Sequence, residues 1–183
     1  MIERRFCKTI VSRLVEEARL SANWSARSVV AGAHQELRPS LLDEKNYVGL
    51  AGELAMCVYL TGDGERFWEG RRRRRESPWL GDGGTDLPPW RVDCKSSLMR
   101  YSQQPIAYRL LVPASEIHPD TAYVAAFVSQ SFDEVTLAGW ATTDEVERSF
   151  RATFPGKPYA IEVSRLRPME TLREHLDEQQ SEG

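Results

Sequence analysis

The apolar run at residues 122–128, Ala-Tyr-Val-Ala-Ala-Phe-Val, is the feature that most constrains how this chain can fold. It is far shorter than the roughly 20 apolar residues that a helix needs to cross a bilayer. Successive side chains of a strand point to opposite faces, so an unbroken apolar run presents an apolar surface on both of them. The run therefore predicts a central β-strand that is covered on each side.

Hydrophobic spacing divides the chain into a helical first part and a strand-rich second part. Apolar residues recur at helical spacing in residues 9–20, 26–36 and 44–60. Strand patterns occupy residues 91–96, 108–112, 122–129, 135–140 and 159–163. A short helix is predicted over residues 143–150, with Thr142 or Thr143 as its cap. This order of elements predicts an α/β or α+β sandwich.

Length and composition indicate one globular domain. The chain has 183 residues, of which 41% are hydrophobic and 28% are charged, and these values suit a single well-formed core. We expect one domain over residues 1–183, with a helical segment at residues 1–42 and an acidic tail at residues 170–183 that is frayed or disordered. No apolar run spans a membrane and the first residues do not resemble a secretory signal, so we expect a cytoplasmic protein without a membrane partner.

A run of five arginines at residues 71–75 stands out in a chain of net charge −3. Adjacent like charges repel one another, so we expect a loop here, preceded by a short strand at residues 67–68. Two interpretations stay open: a loop that is merely solvated, and an arm that binds nucleic-acid phosphates through its guanidinium groups. The candidate phosphate-binding residues are Arg71, Arg72, Arg73, Arg74 and Arg75.

The segment with the clearest chemical content is Gly83-Gly84-Thr85-Asp86, followed after a Pro-Pro turn by Asp93-Cys94-Lys95. Strand alternation places Asp93 and Lys95 on one face and Cys94, with Val92, on the core face. A turn allows Asp86 to approach Asp93, and two close carboxylates repel unless a cation lies between them. Magnesium favours such a site, with few carboxylates, several waters and a phosphate.

A third acid, Glu53, lies on the helix predicted over residues 44–60, beside two glycines at positions 49 and 52. A glycine costs a helix about 1 kcal/mol relative to alanine, so two of them call for a reason in packing. We expect that helix to approach the sheet closely at Gly49 and Gly52. Glu53 would then be directed toward the edge of the sheet.

Gly52-Glu53 on a helix, Asp86 after a glycine turn and Asp93-Cys94-Lys95 on a strand resemble the PD-(D/E)XK nuclease superfamily, over roughly residues 46–140. The resemblance implies a restriction endonuclease-like α/β fold, with a mixed central β-sheet flanked by helices. It also implies hydrolysis of DNA phosphodiester bonds with Mg²⁺, for which Mn²⁺ can substitute. Pro88 follows Asp86 closely, where the family often has a longer strand. The hairpin that joins Asp86 to Asp93 is therefore expected to differ from that of the family.

The same resemblance assigns roles to individual residues. Asp86, Asp93 and Glu53 would hold the metal, together with the Cys94 carbonyl, and Lys95 would be the catalytic lysine. It further implies a phage or prophage source, in a bacterial or phage-infected host cytoplasm. A homodimer is a possible assembly, and RNA is not excluded as a substrate.

Two serines after the motif, Ser96 and Ser97, are candidates to bind phosphates or bases, with a polar loop as the competing interpretation.

Alternative functions also remain open. An Asp-x-Lys sequence alone is common, and its usual explanation is a strand with one solvated face. The chain would then be a structural domain that binds no metal. The main alternative is a nucleic-acid-binding module or subunit that keeps the fold but does not cut.

Overall fold

A computed structural model describes residues 1–29, 39–76, 87, 89–153 and 156–181. Its helices and strands, in chain order, are β1 (Ile2–Arg5), α1 (Lys8–Val29), α2 (Pro39–Thr61), α3 (Glu65–Glu76), β2 (Val92–Leu98), β3 (Arg109–Val112), β4 (Ala122–Val128), β5 (Glu134–Thr142), α4 (Thr143–Glu147), β6 (Phe150–Arg151), β7 (Tyr159–Glu162) and α5 (Leu172–Ser181). The protein is thus a mixed α/β structure, as the order of sequence patterns predicts.

The strands form two sheets, and the apolar run is central to the larger one. That main sheet has the order β1-β5-β4-β2. Strand β4 is antiparallel to β5 and parallel to β2, so the sheet is mixed. The second sheet, β3-β7-β6, is antiparallel. All residues of β4 are buried, which confirms the predicted central strand.

The two faces of β4 belong to two separate hydrophobic clusters. Its even-numbered residues, such as Val124 and Ala126, pack with residues of α1, α2 and α5. Its odd-numbered residues, such as Tyr123 and Phe127, pack with residues of β3 and β7. The main sheet therefore lies between a layer of helices and the second sheet.

Helix α2 approaches the main sheet closely at Gly52. A Cβ atom there would lie 1.9 Å from Ser96 Oγ and 3.1 Å from Ala126 Cβ, so a glycine is required by the contact with β2 and β4. The predicted close approach is confirmed at this position. It is wrong at Gly49, where a Cβ atom would meet nothing within 4 Å.

Several predicted elements change in the structure. One continuous helix, α1, covers residues 26–29, so the separate helix predicted to start at residue 26 is wrong, and residues 30–36 lie outside the described part. The N-terminal segment is not wholly helical, because β1 pairs with β5 at the edge of the main sheet. The helix predicted over residues 143–150 ends at Glu147, although its capping box of Thr142 and Glu145 is present.

The acidic C-terminal segment contains a packed helix rather than a frayed one. Leu172 and Leu176 of α5 are 0% and 1% exposed, and both belong to the helix-side cluster. Trp140 of β5 adds a polar anchor, because its indole Nε1 donates to the Pro168 carbonyl at 3.0 Å. Two leucines one helical turn apart thus pack a helix whose other residues are all charged or polar.

The Gly52 contact yields a stability prediction with a control on the same helix. We expect Gly52→Ala to lower the free energy of unfolding by about 1–3 kcal/mol, because overpacking against Ser96 outweighs the gain in helix propensity. Gly49→Ala should instead raise it by about 0.5–1 kcal/mol, since that position is open. Urea unfolding of both variants measures the difference. Equal effects at the two positions would contradict the close approach.

Candidate functional site

Asp93 and Lys95 form an ion pair on one face of β2, with Lys95 Nζ 2.7 Å from Asp93 Oδ2. Their side chains are 12% and 17% exposed. The intervening Cys94 and the preceding Val92 are buried in the helix-side cluster. The predicted alternation along this strand, with two charged residues on one face and core residues on the other, is confirmed.

Glu116 is a third member of this cluster that the sequence did not predict. Its Oε2 lies 2.5 Å from Lys95 Nζ, and its side chain is half exposed. It ends the short 3-10 helix Ala114–Glu116, which follows β3. No local pattern could have indicated this contact, because 21 positions separate the two residues and only the pairing of β2 with β4 brings them together.

Tyr123 of β4 fixes the segment that carries Glu116. Its hydroxyl donates to the Glu116 carbonyl at 3.0 Å and accepts from the His118 amide at 2.7 Å. Tyr123 is the β4 neighbour of Asp93 in the parallel pairing and is fully buried. The Thr143 hydroxyl also donates to the His118 carbonyl at 2.7 Å. The charged cluster therefore has a hydrogen-bonded wall on the side of the second sheet.

Burial and charge act differently on the two members of the pair. Burial raises the pKa of Asp93, and the nearby Lys95 ammonium only partly offsets this effect. Burial alone would lower the pKa of Lys95, but attraction to Asp93 and the hydrogen bonds to Asp93 and Glu116 outweigh it, so this pKa is raised. Lys95 therefore stays protonated, while Asp93 takes up a proton more readily than an exposed aspartate.

The other predicted metal ligands lie elsewhere or outside the described residues. Glu53 follows Gly52 in α2 and is half-buried. Helix α2 covers the β2 face that carries Cys94 and Ser96, which is opposite to the face of Asp93 and Lys95. Asp86 lies outside the described part of the chain. Within that part, no three His, Cys, Asp or Glu residues are close enough to hold one metal ion.

Neither serine of the motif lies in a loop, so that interpretation is wrong, and both belong to β2. Ser96 lies beneath Gly52 of α2, with its Oγ 3.9 Å from Cys94 Sγ. Ser97 alternates with Ser96 and therefore shares the face of Asp93 and Lys95.

The arginine run is helical, so the prediction of a strand at residues 67–68 followed by an arginine loop is wrong. Arg71 and Arg75 of α3 lie four positions apart on one side of the helix, and both bind the carboxylate of Glu17 in α1. The Arg71 Nε–Glu17 Oε1 distance is 3.3 Å, and Glu17 is 6% exposed. A buried counter-charge thus overcomes the repulsion between neighbouring arginines.

Two further arginines of the run are exposed, and the described aromatic residues Trp68 and Tyr101 differ in exposure. Arg72 and Arg73 are exposed, and the side chain of Arg74 is not among the described ones. Trp68 is buried, with the Arg13 guanidinium 3.9 Å from its ring centroid. Trp90, just before β2, has Arg66 of α3 at 5.6 Å, which places the start of α3 near the start of β2. Tyr101 is 93% exposed.

Comparisons of the chain with protein-family models, curated proteins and solved structures gave no match. No helix in the described part of the chain is long and apolar enough to span a bilayer.

The Glu17 contacts generate a second stability prediction. Glu17→Gln should lower the free energy of unfolding by about 2 kcal/mol, because it removes the negative charge of a buried carboxylate that both Arg71 and Arg75 bind. The cost stays below the roughly 3–5 kcal/mol of a fully buried pair, since Arg75 is half exposed and can reach water. Glu16→Gln, at the exposed neighbouring position, should change it by less than about 0.5 kcal/mol. Thermal or urea unfolding measures both, and indistinguishable variants would contradict this role of Glu17.

Proposed function

We propose that the protein is a divalent-metal-dependent nuclease that hydrolyses DNA phosphodiester bonds. The observation that carries the proposal is the Asp93–Lys95 pair on one face of β2, one of the two edge strands of the main sheet among the described residues. The proposal includes a restriction endonuclease-like arrangement of the sheet and helices. It is supported by the order of the elements, in which Glu53 on α2 precedes Asp93 and Lys95 on β2.

A purely structural role explains the pair poorly. Removing a carboxylate and an ammonium from water costs several kcal/mol per ion, and replacement of buried pairs by apolar residues is often neutral or stabilising. Asp93 and Lys95 are both mostly buried, yet they occupy an outer strand next to the half-exposed Glu116. Buried charged residues whose pKa values are shifted by burial and by a charged partner are typical of functional sites.

The donors present fit a hard divalent cation. Asp93 offers a carboxylate oxygen, and Mg²⁺ commonly uses one or two carboxylates with waters and substrate phosphate. We assign Asp93 as a ligand and propose that Asp86, Glu53 and the Cys94 carbonyl complete the protein's share. The cation would supply an activated water and positive charge for the scissile phosphate.

Lys95 is the residue whose role follows most directly from its environment. Its raised pKa keeps the ammonium charged at neutral pH, so it would stabilise negative charge that develops on the phosphate. The exposed Arg72 and Arg73 of α3 would contact the backbone of the substrate. Arg71 and Arg75 are excluded from that role by their bonds to Glu17.

Cleavage of labelled linear, circular and four-way-junction DNA, with RNA as a further substrate, tests the proposal in Mg²⁺ or Mn²⁺. Asp93→Asn and Lys95→Met should each lower the rate by about 10²-fold or more, because each removes charge needed in the transition state. At Mg²⁺ concentrations well below saturation, the wild-type rate should fall on acidification at a higher pH than an ordinary aspartate pKa would give, because protons then compete with the cation for Asp93, whose pKa burial raises.

The exposed pair Asp144 and Arg148 provides matched controls, because its side chains are 72% and 80% exposed. Asp144→Asn and Arg148→Met should cut at the wild-type rate. Binding of DNA without cleavage would favour the non-cutting module. Absence of both cleavage and divalent-metal binding would leave a structural domain.

Arginine contacts to the DNA backbone predict a salt effect. The double variant Arg72→Gln/Arg73→Gln should reduce the slope of log affinity against log salt by about 1.8, because each phosphate that an arginine no longer neutralises lowers the slope by about 0.9. Arg5→Gln, at an exposed position on the opposite edge of the main sheet, should leave the slope unchanged. Fluorescence anisotropy across a salt series measures it, and an unaltered slope in the double variant would remove α3 from the DNA interface.

A further inference from the structure

The Lys95 ammonium is held by two carboxylates that come from different parts of the chain. Asp93 shares β2 with it, at 2.7 Å, and Glu116 reaches it from the segment after β3, at 2.5 Å. An ammonium has three N–H donors, so it can serve both acceptors at once. The Asp93 side chain is mostly buried, at 12% exposure, whereas that of Glu116 is half exposed, at 49%.

The backbone that presents Glu116 is anchored independently of its side chain. The Glu116 amide donates to the Pro113 carbonyl at 3.0 Å, and its own carbonyl accepts from the Tyr123 hydroxyl. Tyr123 is part of the buried core of β4. The Glu116 carboxylate therefore approaches Lys95 from a hydrogen-bonded backbone.

Asp93 alone cannot hold the Lys95 ammonium when it also binds a cation. A cation bound to Asp93 would compete with Lys95 for the same oxygens and would repel the ammonium. A second acceptor would keep the ammonium in place under those conditions. We infer that Glu116 is a positioning residue that holds the Lys95 ammonium in the site when Asp93 binds a cation. The purpose of this arrangement rests on the proposed nuclease function, but its geometry does not.

The geometric part can be tested on metal-free protein by NMR of the Lys95 side chain, assigned through its loss in Lys95→Met. The two Hε protons of a held lysine have separate shifts, whereas those of a free one average to a single shift. Asp93→Asn mimics an Asp93 whose negative charge is neutralised by a bound cation. We expect two Hε shifts in the wild type and in Asp93→Asn, and one shift in Asp93→Asn/Glu116→Gln.

Glu162 provides the matched control, because it is an exposed glutamate with an arginine partner and 52% exposure. Asp93→Asn/Glu162→Gln should keep two Hε shifts. A single shift in Asp93→Asn alone, or two shifts in Asp93→Asn/Glu116→Gln, would overturn the inference. These outcomes do not depend on whether the protein cuts DNA.

A kinetic measurement distinguishes this inference from the proposed function. In cleavage assays, Glu116→Gln should lower kcat by about 10–100-fold, since a displaced catalytic group loses rate steeply with small shifts in position. KM should change by less than about twofold, because substrate binding is retained. Wild-type cleavage with an unaffected Glu116→Gln variant would refute the positioning role alone. If the wild type does not cut, the nuclease proposal fails and the NMR result alone decides on Glu116.

Discussion

Burial of β4 on both of its faces is the constraint on which the rest of the structure depends. Its even-numbered residues need one apolar partner layer and its odd-numbered residues need another. The helices α1, α2 and α5 supply the first layer, and β3 and β7 supply the second. The N-terminal strand β1 extends the main sheet beyond β5. The layered architecture is thus the means of covering one wholly apolar strand.

The charged cluster follows from the same constraint through the register of β2 on β4. In the parallel pairing Asp93 lies beside Tyr123, and Cys94 lies beside Val124. Paired residues share a face, so Asp93 and Lys95 face the second sheet while Cys94 faces the helices. A shift of one residue would bury both charges beneath α2. The Gly52–Ser96 contact opposes such a shift, because α2 fits only where β2 presents a small residue.

The parts of this structure that the sequence predicts are those encoded by local spacing. Period-two alternation is local, so the strands and the shared face of Asp93 and Lys95 could be predicted. The helical state of the arginine run could not, because its counter-charge, Glu17, is 54 positions away from Arg71. Glu116 was missed for the same reason. Strand β1 has charged residues at three of its four positions and β6 has only two residues, so neither shows an apolar pattern, and the charges of α5 conceal its two buried leucines.

The position of β2 also limits where a cation can bind under the proposed function. Helix α2, which carries Glu53, covers one face of the strand, and Asp93 and Lys95 lie on the other. The strand backbone separates these faces, so an ion shared by Glu53 and Asp93 would have to lie at the outer edge of β2. Lys95 and Glu116 would then form the wall on the side of the second sheet. The ammonium between two carboxylates would be close enough to act on a phosphate held at that edge, and Glu116 would keep the ion from expelling it.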